Sequence, residues 1–200
     1  MTVAQRFARL VTDAVVRMPA LWALFRGPMT RQFDRLARDW DGRMSPEGLA
    51  PLRAALAAIP TVPQTALDIG TGTGRAARLV AATFPAASVT GVDASTAMID
   101  DARGRASTGR ERYQVADASR LPFSDASFDL VTLNNMIPFF DELARVTASG
   151  GHVAVAFSMG ERTPIWVAPG RLRTELERRG FVHVANFSAG SGVATLALRQ

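Results

Sequence analysis

Three alternating glycines form the part of this 200-residue chain whose chemistry is easiest to interpret. An apolar run ending at Asp68–Ile69 leads into Gly70, Gly72 and Gly74, and a helix-like stretch follows. Glycine reaches backbone angles that are closed to other residues and lets a ligand approach the main chain, while the start of a helix offers unpaired N–H groups. The segment therefore predicts a loop that binds a nucleotide-like ligand at the end of a strand.

A carboxylate that suits the same ligand lies 19 residues beyond the last of these glycines, at Asp93. It follows a second apolar run, where it can accept hydrogen bonds from both hydroxyls of a ribose. More than one cofactor fits this arrangement. Gly72–Ala77 also has the Gly-x-Gly-x-x-Ala form of the dinucleotide fingerprint, so these residues leave a nicotinamide dinucleotide and other adenosine-containing cofactors open.

The residues around these motifs predict alternating strands and helices, which is the pattern of a parallel sheet. We predict seven strands, at 65–69, 88–92, 112–116, 128–134, 152–157, 182–187 and 193–198. Helices are predicted at 76–83, 96–104, 139–147 and 171–179. Only a short turn separates the last two strands, so they should pair antiparallel. The predicted fold class is α/β, with a doubly wound, mostly parallel seven-stranded sheet.

The region before the first strand is predicted to be helical. Apolar residues recur every three or four positions over 3–18 and 30–40, and Ser45 suits the N-cap of a helix that runs to about Ala58. We therefore expect a helical cap or lid over residues 1–58 and a cofactor-binding core over residues 64–200. Residues 1–43 hold eight Arg and four Asp. Peripheral membrane contact through these helices is thus open, besides packing on the core.

Other residues distinguish the cofactor classes. Asp68 stands directly before the glycines, Asp117-Ala118 follows the third predicted strand, and Leu121–Phe123 leads to Phe128–Val131. At these residues the chain resembles the class I S-adenosylmethionine-dependent methyltransferases, especially the branch that includes quinone C-methyltransferases, over residues 64–200. The resemblance implies in-line methyl transfer from S-adenosylmethionine to a small-molecule acceptor. It implies S-adenosylhomocysteine as the product and no metal.

The resemblance also implies roles for particular residues. The loop Asp68–Gly74 would wrap the methionine part of the cofactor, Asp93 would bind its ribose, and Asp117 would meet the adenine amino group. Met98 would pack on the adenine, and Ala118 would offer its N–H to the ring. The cofactor-binding residues predicted in this way are Asp68, Gly70, Thr71, Gly72, Gly74, Asp93, Ala94, Met98, Asp117, Ala118 and Asn134. No catalytic residue is assigned.

Two further segments concern the acceptor and the lid. Asn134 and Asn135 end the fourth predicted strand, where similar proteins often have two histidines, so the resemblance leaves the acceptor open. Phe33–Asp41 resembles a Phe-Asp-x-x-Ala-x-x-Tyr-Asp segment that precedes many such cores, with Trp40 at the Tyr position. This likeness predicts a lid helix over the cofactor.

The composition excludes several kinds of chemistry. The chain has no cysteine, which excludes thiol nucleophiles, disulfides and Cys-ligated zinc. All 23 basic residues are Arg, so lysine catalysis is excluded, although the net charge is +5. His152 and His183 show no metal-ligand spacing, and we expect no metal site. No apolar run is long enough to span a bilayer, and we expect a cytoplasmic protein.

Three other functions remain open. An NAD(P)-binding oxidoreductase would use Gly72–Ala77, but its short-chain branch works with a Tyr–Lys pair, and this chain has one Tyr and no Lys. A non-catalytic module that binds S-adenosylmethionine would carry the same motifs. A nucleic-acid methyltransferase has weaker support, because Asn135–Phe139 is a distorted form of the motif used for base methylation. We therefore do not expect a nucleic-acid partner, and the oligomeric state is undetermined.

Overall fold

Seven strands form one sheet in the computed structural model, which describes residues 3–200. The first two residues of the predicted cap lie outside this part of the chain. The strands are β1 (Thr65–Ile69), β2 (Ser88–Asp93), β3 (Glu111–Val115), β4 (Phe128–Asn134), β5 (Thr147–Phe157), β6 (Phe181–Ala189) and β7 (Gly192–Arg199). Their order is β3-β2-β1-β4-β5-β7-β6, and β7 pairs antiparallel with both β5 and β6. The predicted doubly wound, mostly parallel sheet with an antiparallel last strand is confirmed.

The helices fall into two groups along the chain. Four precede the sheet and four follow β1 or a later strand. They are α1 (Val3–Arg17), α2 (Trp22–Leu36), α3 (Trp40–Arg43), α4 (Ala50–Ala57), α5 (Arg75–Thr83), α6 (Thr96–Gly104), α7 (Phe140–Val146) and α8 (Pro169–Glu177). Among the residues described, no helix is long and apolar enough to cross a membrane.

Both faces of the sheet are covered, because alternate residues of the central strands enter different apolar clusters. Leu67 and Ile69 of β1 belong to a cluster that includes side chains of α1, α2, α7 and α8. Ala66 belongs to a second cluster with α4, α5 and α6. Strands buried on both sides are typical of parallel sheets, which explains their nearly continuous apolar runs in the sequence.

One helix differs from its prediction. The apolar spacing predicts a helix over 30–40, whereas α2 begins at Trp22, ends at Leu36 and continues as a 3-10 turn over Ala37–Asp39. Pro28 lies inside α2, where it removes one backbone hydrogen bond. Trp22 and Met29, on either side of this proline, are both buried, so packing against the core stabilises one continuous helix despite the local cost.

The strand register brings the sequence motifs to one edge of the sheet. Ile69 pairs with Val92 of β2 and with Leu133 of β4, all three strands being parallel. The glycine loop, Asp93 and Asn134 therefore leave the sheet side by side at its carboxyl end. Ligands of open α/β sheets bind at this end, so the binding site is expected here.

Candidate functional site

A cavity of about 1070 Å³ opens at the carboxyl ends of β1, β2 and β4. Its floor is the sheet edge, and its opposite wall comes from the N-terminal helices through Met29, Phe33, Leu36 and Trp40. Eight of the eleven predicted cofactor-binding residues line it: Gly70, Thr71, Gly72, Asp93, Ala94, Met98, Ala118 and Asn134. Asp68, Gly74 and Asp117 do not line the cavity, and each has a structural contact that explains its position.

The glycine loop is held in a shape that favours glycine, since Gly70, Gly72 and Gly74 all have φ in the left-handed region. Gly70 and Gly74 have φ of 69° and 81°. A Cβ at Gly70 would lie 2.8 Å from the Met136 side chain, and one at Gly74 would lie 2.7 Å from the Tyr113 hydroxyl. Both separations are too short, so a side chain at Gly70 would displace Met136, which lines the cavity, and one at Gly74 would displace Tyr113 behind the loop. The loop leads directly into α5, whose first N–H groups lie at the cavity edge.

Asp68 supports the loop from below. Its carboxylate is buried and accepts hydrogen bonds from the hydroxyls of Thr71, at 2.7 Å, and Thr132, at 2.8 Å. Burial raises the pKa of Asp68 to about 6, although these hydrogen bonds act in the opposite direction. Asp68 thus ties the loop after β1 to the neighbouring strand β4 and does not face the ligand space.

Asp93 lies at the end of β2 and faces the cavity. Its Oδ2 accepts a hydrogen bond from the N–H of Gly72, and its Oδ1 accepts one from the N–H of Ser95, both at 2.9 Å. Burial raises the pKa of this carboxyl above its usual value. A carboxylate has about four acceptor positions, so Asp93 can also accept hydrogen bonds from a diol in the cavity.

The resemblance implies that Asp117 meets the adenine amino group, whereas its carboxylate contacts other residues of the protein. Its Oδ1 accepts hydrogen bonds from Trp22 Nε1 at 2.9 Å and from the N–H and hydroxyl of Ser119, and Arg26 lies 3.4 Å from its Oδ2. Burial opposes the charged form, but the hydrogen bonds from Ser119, Trp22 and Arg26 outweigh it and lower the pKa. Asp117 therefore anchors α2 to the loop after β3, while its neighbour Ala118 lines the cavity.

Two aspartates of the N-terminal region contact the loops of the site, and neither contact could be predicted from residue type and spacing. Asp34 accepts a hydrogen bond from Ser95 Oγ, and Asp41 accepts one from Thr73 Oγ1, each at 2.5 Å. Trp40 lies above the loop, where a Cβ at Gly72 would come 3.5 Å from its Nε1. The position of Trp40 agrees with the lid helix predicted from the resemblance of Phe33–Asp41 to a segment that precedes similar cores.

The two asparagines after β4 are used differently. Asn135, with φ of 56°, exchanges two hydrogen bonds of 2.9 Å with Ser158, through its amide Nδ2 and Oδ1. Asn134 lines the cavity, and its Oδ1 is buried with no hydrogen-bond partner. An unpaired buried carbonyl costs about 1–3 kcal/mol, so Asn134 is suited to accept a hydrogen bond from a ligand.

Neither histidine lines the cavity. His152 is buried in β5, and burial lowers its pKa, while His183 is exposed on β6 at the sheet edge. Within residues 3–200, no group of three or more His, Asp or Glu side chains is placed to hold a metal ion. The polar groups that face the cavity are instead suited to bind an organic ligand through hydrogen bonds.

Comparisons with known proteins show which proteins the chain is similar to. Residues 66–151 match a family described as a methyltransferase domain. The chain is 33% identical over 148 residues to a demethylmenaquinone methyltransferase of Roseiflexus castenholzii, covering 68% of this chain and 62% of that one. It is 33% identical over 141 residues to a malonyl-[acyl-carrier protein] O-methyltransferase of Geobacter sulfurreducens, covering 66% and 53%. The chain spans between 33% and 62% of the length of the curated relatives it matches.

Solved structures show the same fold. A SAM-dependent methyltransferase from Aquifex aeolicus superposes with a TM-score of 0.68 at 16% identity, over 84% of this chain and 98% of that one. A human N-acetylserotonin methyltransferase in complex with SAM superposes with a TM-score of 0.62 at 17% identity, over 89% and 58%. The sheet and its helices therefore have the Rossmann-like methyltransferase fold.

Proposed function

We propose that the chain is an S-adenosylmethionine-dependent methyltransferase of class I, which transfers a methyl group from this cofactor to a small-molecule acceptor bound in the same cavity. The observation that carries the proposal is the alignment of the glycine loop, Asp93 and Asn134 along one edge of the cavity. The glycine loop suits a flexible chain, Asp93 can bind a diol, and Asn134 can accept a hydrogen bond from a charged amine. The size and apolar lining of the cavity further support a second molecule beside the cofactor.

In this proposal Asp93 binds the two ribose hydroxyls of the cofactor. The hydrogen bonds from Gly72 and Ser95 hold its carboxylate in one orientation before the ligand arrives. Met98, which is 1% exposed, offers an apolar surface to the adenine, and Ala118 offers its backbone N–H. Asp117 is a positioning residue for α2, because Trp22 and Ser119 already occupy its Oδ1.

The methionine end of the cofactor would lie over β1 and β4. Adjacent strands are about 4.8 Å apart, so Asp93 on β2 and Asn134 on β4 lie two strand spacings from each other across the glycine loop. The sulfonium of S-adenosylmethionine already activates its methyl group when the cofactor is bound. The protein therefore has to hold the acceptor in line with that methyl group, and such positioning is worth about 7–11 kcal/mol in favourable cases.

Exclusion of water is the second task of the cavity. We propose that the helices before Met44 act as the lid, with Trp40 above Gly72 and the contacts of Asp34 and Asp41 holding it closed. The last part of the predicted cap, α4, packs instead in the apolar cluster on the other face of the sheet. Met136, Met159 and Ile165 continue the apolar wall beyond Asn134. An acceptor with an apolar body fits this wall, and the name of one curated relative, a demethylmenaquinone methyltransferase, is consistent with such a small molecule.

Calorimetric titration of the full chain with S-adenosylmethionine, S-adenosylhomocysteine and NADH tests the proposal. We expect both sulfur cofactors to bind and NADH not to bind. A screen of phenols, quinones and amines for release of S-adenosylhomocysteine then tests catalysis. NADH binding in place of the sulfur cofactors would replace the proposal with an oxidoreductase, and binding without turnover of any acceptor would favour a non-catalytic module.

A further inference from the structure

The first two helices, with the residue that follows α1, expose large apolar side chains. Phe7, Leu10, Met18 and Leu24 are 44%, 68%, 56% and 69% exposed. They are four of the seven large apolar residues exposed anywhere in the described part of the chain, and all four lie within its first 24 residues. Such clustering in one region differs from the scattered exposed apolar residues that most surfaces have.

These side chains are not an unburied part of the core. The opposite face of α1 packs inward through Val11 and Val15, which are 2% and 1% exposed. Phe7 contacts Phe25 of α2 edge-to-face, with ring centroids 6.3 Å apart. This contact joins the two helices, so the exposed residues of α1 and α2 lie on directly packed, neighbouring elements.

The same helices carry most of the excess positive charge. Residues 1–43 contain eight Arg and four Asp, a net charge of +4 out of +5 for the chain. Arg6 and Arg17 are exposed on α1, near Leu10, and Asp13 is the single acid of that helix. Apolar side chains flanked by arginines on a helix surface are the combination that binds the interface of a membrane with anionic lipids.

We propose that this α1–α2 surface, formed by Arg6, Phe7, Leu10, Arg17, Met18 and Leu24, binds an anionic phospholipid bilayer. The apolar side chains enter the headgroup region, and the arginines contact lipid phosphates. The inner side of α1 borders the cavity, since Arg9 donates hydrogen bonds to the carbonyls of Glu161, at 2.5 Å, and Thr163, at 2.7 Å, both of which line it. A bilayer on the outer side of α1 thus lies next to the cavity. The inference does not depend on the proposed function.

Vesicle flotation with the full chain tests the inference. We expect binding to vesicles of phosphatidylcholine with phosphatidylglycerol, and little binding to phosphatidylcholine alone. Substituting both most exposed leucines, Leu10→Asn with Leu24→Asn, should lower the partition coefficient at least about tenfold, because two apolar side chains no longer enter the lipid. Val62→Asn is the matched control, since Val62 is 62% exposed on another part of the surface.

The charge contribution has its own pair of variants. Arg6→Gln with Arg17→Gln should weaken partition about 30-fold, and added salt should weaken wild-type binding in the same direction. Arg53→Gln with Arg110→Gln removes the same charge elsewhere and should change partition much less. Equal binding to both vesicle types, or no loss in the leucine variant, would overturn the inference. So would a concentration-dependent dimer in analytical ultracentrifugation that the leucine variant abolishes, because the occupant would then be a second copy.

Discussion

The unpaired carbonyl of Asn134 leads to a prediction in which ligand affinity and stability move in opposite directions. Asn134→Leu replaces the amide by an apolar group of similar size. In the protein without ligand, Asn134 Oδ1 is buried and has no partner, so its removal relieves a cost of about 1–3 kcal/mol. Because 1 kcal/mol changes the melting temperature of a domain this size by about 2–4 °C, we expect Tm to rise by a few degrees.

Affinity for S-adenosylhomocysteine should fall in the same variant. A hydrogen bond to a charged group contributes about 1.5–3 kcal/mol, and a factor of ten in affinity corresponds to about 1.4 kcal/mol. The expected loss is therefore about 10- to 150-fold, measured by calorimetry. Methylthioadenosine has no amino-acid portion and should bind wild type and variant equally. Asn134→Asp retains an oxygen at this position and should restore binding of S-adenosylhomocysteine.

Three results would refute this reasoning. Unchanged affinity for S-adenosylhomocysteine in Asn134→Leu would remove the side chain from the ligand site. An equal loss for methylthioadenosine would show a change in the cavity shape instead of a lost contact with the amine. A fall in Tm would show that the carbonyl has a partner in the folded protein.

The remaining predictions concern Asp93, the lid and Asp68. Asp93→Ala should weaken S-adenosylhomocysteine binding by about 1–3 kcal/mol in calorimetry, because two ribose hydrogen bonds are lost, and an unchanged Kd would exclude Asp93 from the site. Asp34→Asn with Asp41→Asn should speed dissociation of S-adenosylhomocysteine about fivefold in stopped-flow measurements. Asp39→Asn, on the same segment, is the control and should leave the dissociation rate unchanged. Equal dissociation rates in wild type and the double variant would argue against a lid. Burial raises the pKa of Asp68 to about 6, so the folded state binds this proton more tightly than the unfolded chain does. The contribution of Asp68 to the free energy of unfolding should therefore increase as pH falls through about 6 towards about 4. The test is the difference in the free energy of unfolding between wild type and Asp68→Asn, measured by urea unfolding at several pH values, because other carboxyls titrate in the same range. This difference should shift in favour of wild type by an amount of order 3 kcal/mol as pH falls from about 7 to about 4, and a shift of opposite sign would contradict the assigned cause.

Much of the fold could be predicted because the signals are local. A buried parallel strand shows a short apolar run, a surface helix shows apolar residues every three or four positions, and both patterns are readable within a few residues. The strands β1 to β7 therefore lie close to their predicted positions, and the Gly70–Gly74 loop connects β1 to α5 as expected. Residues 30–40 are helical as predicted, but the helix begins earlier, at Trp22, because its start depends on burial against the core, which the local pattern does not contain.

The sequence by itself determined the α/β class, the glycine loop and the position of Asp93, since these follow from residue type and short spacing. Only the tertiary structure decided which side chains face the cavity. Trp22 reaches Asp117 across 95 positions of the chain, and Asp34 reaches Ser95 across 61. No periodicity encodes such contacts, because they arise when separate elements pack on the same sheet edge. That packing turned Asp117 towards α2 and left the Asn134 carbonyl without a partner beside the cavity.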